Sequence, residues 1–488
     1  MSHHTTTATH AAVHDLYIDG QWVAGQGSIA NLNPSDTRDV IGHYAQASVD
    51  QVADAIQAAK RGQAQWAQSG LEQRYSVLMA IGDELIARKT ELGELLAREE
   101  GKTLAEGVGE VHRSGQFFHY YGAEVLRQID ERADSVRPGV EVEVRREPVG
   151  VVGVISPWNF PMATAVWKIA PALAFGNSVV FKPANLVPAS AWALTEIIHR
   201  QSLPAGTFNL VMGPGSSIGD ELISSPDIHA LSFTGSLEVG RRVAAATAAN
   251  LVKCQLEMGS KNALIIADDA DMELAVEAAF NGAYSGTGQK CTASSRLIVM
   301  ESVHDEFVEK LTQRLSQVRV GHALEEGVHM GPAVDARQLE SNLSWVQRAQ
   351  QEGATLVCGG ERVECATDGY FMSPALLVNT SNDMAINREE IFGPTACVIK
   401  VSDAEEAINV LNDTHFGLTA GIITNSLKLA SSFKARAETG CVMVNLPTAG
   451  TDYHVPFGGR KASSFGPREQ GRYAREFYTI VKTCYIKA

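Results

Sequence analysis

Apolar residues recur at helical spacing in residues 49–67 (Val52, Ala55, Ile56, Ala59) and again in residues 71–98 (Leu78, Ile81, Leu85, Ile86). Each stretch predicts one amphipathic helix. Residues 15–23, DLYIDGQWV, read as a hairpin turning at Asp19-Gly20. Residues 140–144, VEVEV, alternate strictly, the mark of a half-exposed strand. Beyond them, short apolar runs predict strands over 149–155, 178–182, 208–212 and 230–233. Helical patterns over 167–175, 190–200, 217–224 and 237–247 separate and follow them. A second run follows Asn262, with strands over 263–266 and 296–300 and helices from Met272 and His304. Strands alternating with helices of this length predict parallel sheets covered on both faces. The simplest account is an α/β chain of two doubly wound parallel-sheet domains. The last strand, 479–486, is apolar and alternating. Together with 140–144 it is expected to be an exposed edge that pairs between subunits.

Length and charge narrow the classes. At 488 residues the chain has room for roughly two to four domains and needs no disulfides to hold a core. Its net charge of −15 disfavours nucleic acid and anionic membranes as partners. Residues 148–167 carry no charge and are long enough to span a bilayer, but Pro148, Gly150, Gly153, Pro157 and Pro161 break any helix there. That stretch reads as a buried strand and a turn. Residues 1–10 are polar, so a secretory leader is not expected. The seven cysteines are scattered, odd in number and form no CxxC pair. A reducing, cytoplasmic setting with no metal site is expected.

Two loops between a strand and a helix are candidate phosphate sites. Gly213-Pro-Gly215 followed by Gly219 has one residue too many for the dinucleotide fingerprint and is equally a Gly-rich turn. In Phe233-Thr234-Gly235-Ser236, Ser236 can cap the next helix, whose free backbone N–H groups suit a phosphate; an ordinary cap is the other reading.

Seven motifs then occur in order: Ser156-Pro-Trp158-Asn159-Phe160-Pro161, Lys182-Pro-Ala184, Phe233 to Ser236, Glu257-Met-Gly259, Gly288-Gln-Lys290-Cys291, Glu390-Ile-Phe392-Gly-Pro394 and Pro456-Phe-Gly-Gly-Arg-Lys461. The set resembles the NAD(P)-dependent aldehyde dehydrogenase superfamily. The resemblance implies a Rossmann-like cofactor-binding domain over 1–126 and 147–256 and a catalytic domain over 257–446. It also implies oligomerisation strands over 127–146 and 478–488, a returning segment over 447–477 that lines the active site, and a homodimer or homotetramer.

It further implies that Cys291 adds to an aldehyde, that the Asn159 amide and the Cys291 N–H hold the resulting oxyanion, and that Glu257 activates the water that cleaves the thioester. NAD or NADP would sit against Ser156, Trp158, Lys182, Asn185, Gly215, Phe233, Thr234, Gly235, Ser236, Glu390 and Phe392. Asn185 stands where NAD-preferring members carry a glutamate, so NADP should be tolerated. Ser260 and Ser464 stand where glycine is usual and are expected to alter loop detail only.

The substrate pocket is expected to include Phe160, Trp167, Phe117, Tyr453, Arg113 and Lys290. Trp167-Lys-Ile-Ala-Pro-Ala-Leu-Ala-Phe-Gly176 and Ser463-Ser464-Phe-Gly-Pro-Arg-Glu-Gln-Gly471 look most like the branch that oxidises 2-oxoglutarate semialdehyde (2,5-dioxovalerate). Arg113 and Lys290 are then candidate cations for the 2-oxo acid end, or plain surface charges. The alternative substrate is an aromatic or heteroaromatic aldehyde flanked by Trp167, Phe117 and Tyr453. A catalytically dead structural or binding protein is the alternative of another class, and retention of Cys291, Glu257 and Asn159 together argues against it.

Overall fold

The computed structural model describes residues 12–487; the reading of residues 1–10 lies outside them. Two large sheets with helices packed on them organise the chain. The first has eight strands in the order Ser464–Phe465, Lys253–Glu257, Ala230–Thr234, Val151–Ile155, Ser178–Lys182, Phe208–Leu210, Leu16–Ile18 and Gln21–Val23. Its five central strands are parallel, and both flanks are antiparallel. Val151–Ile155 and Ser178–Lys182 are buried almost throughout, as expected of strands covered on both faces. The chain order reverses between Val151–Ile155 and Ala230–Thr234, which opens a crevice at their carboxyl ends.

The second sheet has seven strands in the order Thr355–Cys358, Ala375–Val378, Thr395–Val401, Ser294–Met300, Asn262–Ile266, Thr419–Ile423 and Cys441–Val444. It is parallel except at Thr355–Cys358. Among the described residues no helix is long and apolar enough to cross a membrane.

Most predicted elements are present within a few residues. The hairpin turns at Asp19, with Leu16–Ile18 paired to Gln21–Val23. Ser236 caps the helix Leu237–Ala249 by accepting from Val239 N–H.

Three readings need correction, and one sheet had no reading. Residues 71–98 form two helices, Leu71–Ala87 and Lys89–Glu100, broken at Arg88. Both pack on the helix Leu104–Val125, so the apolar repeat runs through the break and hides it. The helix expected from Trp167 starts earlier, as Ala163–Ala174. Its start has no local cap; instead Glu110 accepts the N–H groups of Met162 and Ala163 from another helix. The strand expected over 140–144 is Val140–Pro148, and it is not an edge. It lies between Thr479–Lys487 and Glu131–Asp134, so both of its backbone edges are paired within the chain. A further sheet of Val13–His14, Asp36–Gln46 and Gly27–Asn33 carries no alternation clear enough to predict it.

Candidate active site

The loops at the carboxyl ends of the central strands meet the loop that precedes Ser294–Met300. Cys291 lies in that loop, after the turn Ser285–Gly288, where Gly286, Thr287 and Gly288 all have left-handed backbone. Asn262 fixes the loop by donating to the carbonyls of Cys291 (2.7 Å) and Ala293 (3.0 Å).

Cys291 stands where two cavities join. One, of about 230 Å³, is walled by Trp158, Thr234 to Ser236, Glu257, Gln338, Glu390 and Phe392. The other, of about 510 Å³, is walled by Arg113, Phe117, Lys290, Thr451 and Gln470. Phe160, Trp167, Cys291 and Phe457 line both. The Cys291 side chain thus borders both cavities and can be approached from two sides.

The electrostatics are those of a dry site. Burial, then the carboxylates of Glu390 and Glu257, push the Cys291 thiol up to about 12. The resting sulfur is therefore protonated, and forming its thiolate needs a base. Burial pushes Glu257 up to about 8, against a hydrogen bond from Ser464 Oγ. At neutral pH this carboxyl is poised to exchange a proton rather than fixed as an anion. Asn159 donates one amide hydrogen to Gln289 O at 2.9 Å, which leaves its second amide hydrogen for a ligand. Lys102 secures the Asn159 loop by bonding Asn159 O and Glu110, each at 2.7 Å.

The 230 Å³ cavity suits a dinucleotide. Thr234 Oγ1 and Ser156 Oγ, and Asn185 Oδ1 beyond it, are buried with no hydrogen-bond partner among the described residues. Such groups cost free energy until a ligand satisfies them. The capped start of Leu237–Ala249 offers backbone N–H groups to a phosphate. Phe392, held at a left-handed φ of 62°, stands edge-on to Trp158 at 5.3 Å. Gly259 makes room for Glu390, whose Oε2 would lie 2.2 Å from a Cβ there; Glu390 accepts from Ser260 N–H at 2.8 Å.

Of the predicted site residues, Ser156, Lys182, Asn185, Gly215, Phe233 and Tyr453 do not line either cavity. Lys182 pairs with Ile155 across the sheet, and burial lowers its ammonium to about 8. Gly215 opens the helix Gly215–Ser224. Phe233 lies under Gly235, and Tyr453 stands edge-on to Phe117 at 6.1 Å.

Lys290 is spent on Asn281 O and Ser285 Oγ, whereas Arg113 reaches Thr451 O. Sequence reasoning missed Gln470, a buried residue at a φ of 63° whose Oε1 has no partner among the described residues. It also missed Gln338, Phe457 and the contact of Ser464 with Glu257. The Ser463 to Gly471 run held two of these, but without a fold nothing in it says which residues face the site. Among the described residues no cluster of His, Cys, Asp and Glu is suited to a metal ion.

The aldehyde dehydrogenase family model matches residues 22–484. The chain is 41% identical over 475 residues to an alpha-ketoglutaric semialdehyde dehydrogenase of Bacillus subtilis, covering 96% of this chain and 97% of that protein. It is 39% identical over 474 residues to an alpha-ketoglutarate semialdehyde dehydrogenase of Haloferax volcanii, covering 96% and 98%. A betaine aldehyde dehydrogenase of Staphylococcus aureus, crystallised with NAD+, superposes with a TM-score of 0.95 at 33% identity, covering 98% of this chain and 95% of that one.

Proposed function

The chain belongs to the aldehyde dehydrogenase family, and from that premise we propose that it oxidises 2-oxoglutarate semialdehyde to the dicarboxylic acid, with NAD or NADP as oxidant. The observation that carries this reading is Cys291 at the junction of two cavities, one fitted to a dinucleotide and one open to a small molecule. The substrate assignment rests on the two semialdehyde dehydrogenases to which the chain is similar. It also rests on the polar groups in the larger cavity. Trp167 Nε1 and Gln470 Oε1 are buried without partners beside Arg113, a set that suits a keto acid better than a plain hydrocarbon tail.

Cys291 loses its proton to base from solvent reaching the cavity, and its sulfur adds to the aldehyde carbon. The free amide hydrogen of Asn159 and the Cys291 N–H stabilise the oxygen that becomes negative. A nicotinamide bound in the smaller cavity supplies the acceptor for the hydride. Glu257 then takes a proton from water as it attacks the acyl thioester, and the acid leaves with the thiol restored. Lys182 and Glu390 would hold the two riboses. Trp158, Phe392 and the Thr234 to Ser236 loop would position the dinucleotide.

The eight-stranded sheet would be the cofactor-binding part and the seven-stranded sheet the catalytic part. We place the protein in the cytoplasm, where its seven unpaired cysteines would stay reduced, as a homodimer or homotetramer.

The test is kcat/KM over an aldehyde panel with both cofactors. 2-Oxoglutarate semialdehyde should rank first, and Cys291→Ala should lose turnover while still binding cofactor. A panel led by benzaldehyde would overturn the substrate assignment. An active Cys291→Ala variant would overturn the covalent mechanism.

A further inference from the structure

We propose that Ser464 is a positioning residue for the hydrolytic half of the reaction: its hydroxyl holds the Glu257 carboxylate in place as the ionised base. This rests on the covalent reading above and not on the identity of the aldehyde.

Ser464 is the cross-strand neighbour of Glu257, where the two-residue strand Ser464–Phe465 pairs antiparallel with Lys253–Glu257. Ser464 Oγ lies 2.5 Å from Glu257 Oε2, and the Gly459 N–H points at the same Oγ from 2.6 Å. A backbone N–H can only donate, so Oγ accepts there; an ionised Glu257 carboxylate can only accept, so in that state the Ser464 proton is directed to it. That sense matters, because a donor aimed at a carboxyl group favours the charged form. Among the described residues this is the one hydrogen bond made to the Glu257 carboxylate.

Two glycines leave room for the arrangement. A Cβ on Gly458 would lie 2.7 Å from Glu257 Oε1, and one on Gly459 would lie 3.0 Å from Ser464 Oγ.

The other charges facing Glu257 act in opposite directions. Glu469 raises it, whereas Lys168 and Arg468 lower it, and Lys168 and Glu469 are themselves a buried ion pair. Cys291 and Cys441 are thiols held protonated by burial. After burial itself, the Ser464 contact is the largest influence on this group.

The test isolates deacylation from cofactor and aldehyde. With 4-nitrophenyl acetate, Cys291 Sγ attacks the ester carbon, a C–S bond forms and 4-nitrophenolate leaves. Water then cleaves the thioester, Glu257 takes its proton, and acetate and the thiol are regenerated. Acyl-enzyme of wild type, Ser464→Ala and Ser464→Thr is followed from pH 6 to 10. Ser464→Ala should acylate to the same extent. Its deacylation midpoint should move up by about one pH unit, so that deacylation at pH 7 is roughly tenfold slower. Ser464→Thr, which keeps the hydroxyl, should return toward the wild-type midpoint. An unchanged midpoint in Ser464→Ala, or equal shifts in both variants, overturns the proposal. A wild type that forms no acyl-enzyme overturns the covalent reading, and this one with it.

Discussion

As the base proposed above, Glu257 would work only when it can accept a proton, and its burial sets the pH at which it can. With the carboxyl raised to about 8, the protonated, idle form gains as pH falls below that value. The hydrolytic rate should therefore rise as pH is raised through about 8, and steady-state kcat should follow wherever hydrolysis limits it. Glu257→Gln should still form the thioester and release about one equivalent of reduced cofactor per site, then turn over about a hundredfold or more slowly. Rapid-mixing absorbance at 340 nm reads both phases, and loss of the burst would mean that Glu257 acts earlier, on Cys291. Asn185 makes a second prediction. A carboxylate at that position would oppose a 2′-phosphate by roughly 1 to 4 kcal/mol at about 4 Å. Asn185 has no charge, and its Oδ1 is buried without a partner among the described residues. NADP should therefore serve at no worse than about a tenth of the NAD efficiency, and Asn185→Glu should restore discrimination against it. A wild type that rejects NADP about a thousandfold would show that another residue excludes the phosphate.

At the scale of elements, the helix Ala163–Ala174 is tied to its surroundings by charges inside the core. Lys168, fully buried, pairs with Glu469 from the returning segment and donates to Ser232 Oγ on Ala230–Thr234 at 2.9 Å. Removing one member of a buried pair strands the other charge, at a cost of about 3 to 5 kcal/mol. Lys168→Met should thus lower the calorimetric unfolding midpoint by several degrees, and Lys168→Met with Glu469→Leu should recover part of the loss. Equal midpoints for wild type and Lys168→Met would show that the pair contributes no net stability. This contact also brings Glu469 and the neighbouring Gln470 to the site from a segment far along the chain.

At the scale of the whole molecule, the small sheet of Thr479–Lys487, Val140–Pro148 and Glu131–Asp134 has outer edges that no other strand among the described residues pairs with. On Thr479–Lys487, Ile480, Val481, Tyr485 and Ile486 are 46%, 55%, 62% and 46% exposed. Unpaired edges with apolar side chains call for covering by another chain. Sedimentation at micromolar concentration should show a dimer or larger species, and Tyr485→Lys should shift it toward monomer. A stable wild-type monomer would refute the assembly.

Residues close in sequence determined much of this protein. The alternation of buried strands and amphipathic helices follows from local periodicity, so the two α/β sheets were legible. Cys291, Glu257 and Asn159 sit in short motifs, so they could be picked out as candidates, and the fold gathers all three around one cavity. Tertiary structure decided what depends on distant partners. The break at Arg88 is invisible because both helices share one packing surface. The early start of Ala163–Ala174 depends on Glu110, some fifty residues away. Val140–Pro148 became a middle strand because the end of the chain returns to pair with it. Ser464, expected to change only loop detail, reaches the Glu257 carboxyl because an antiparallel register sets it opposite Glu257. Burial, which no local pattern encodes, then fixed how readily Glu257 and Cys291 exchange their protons.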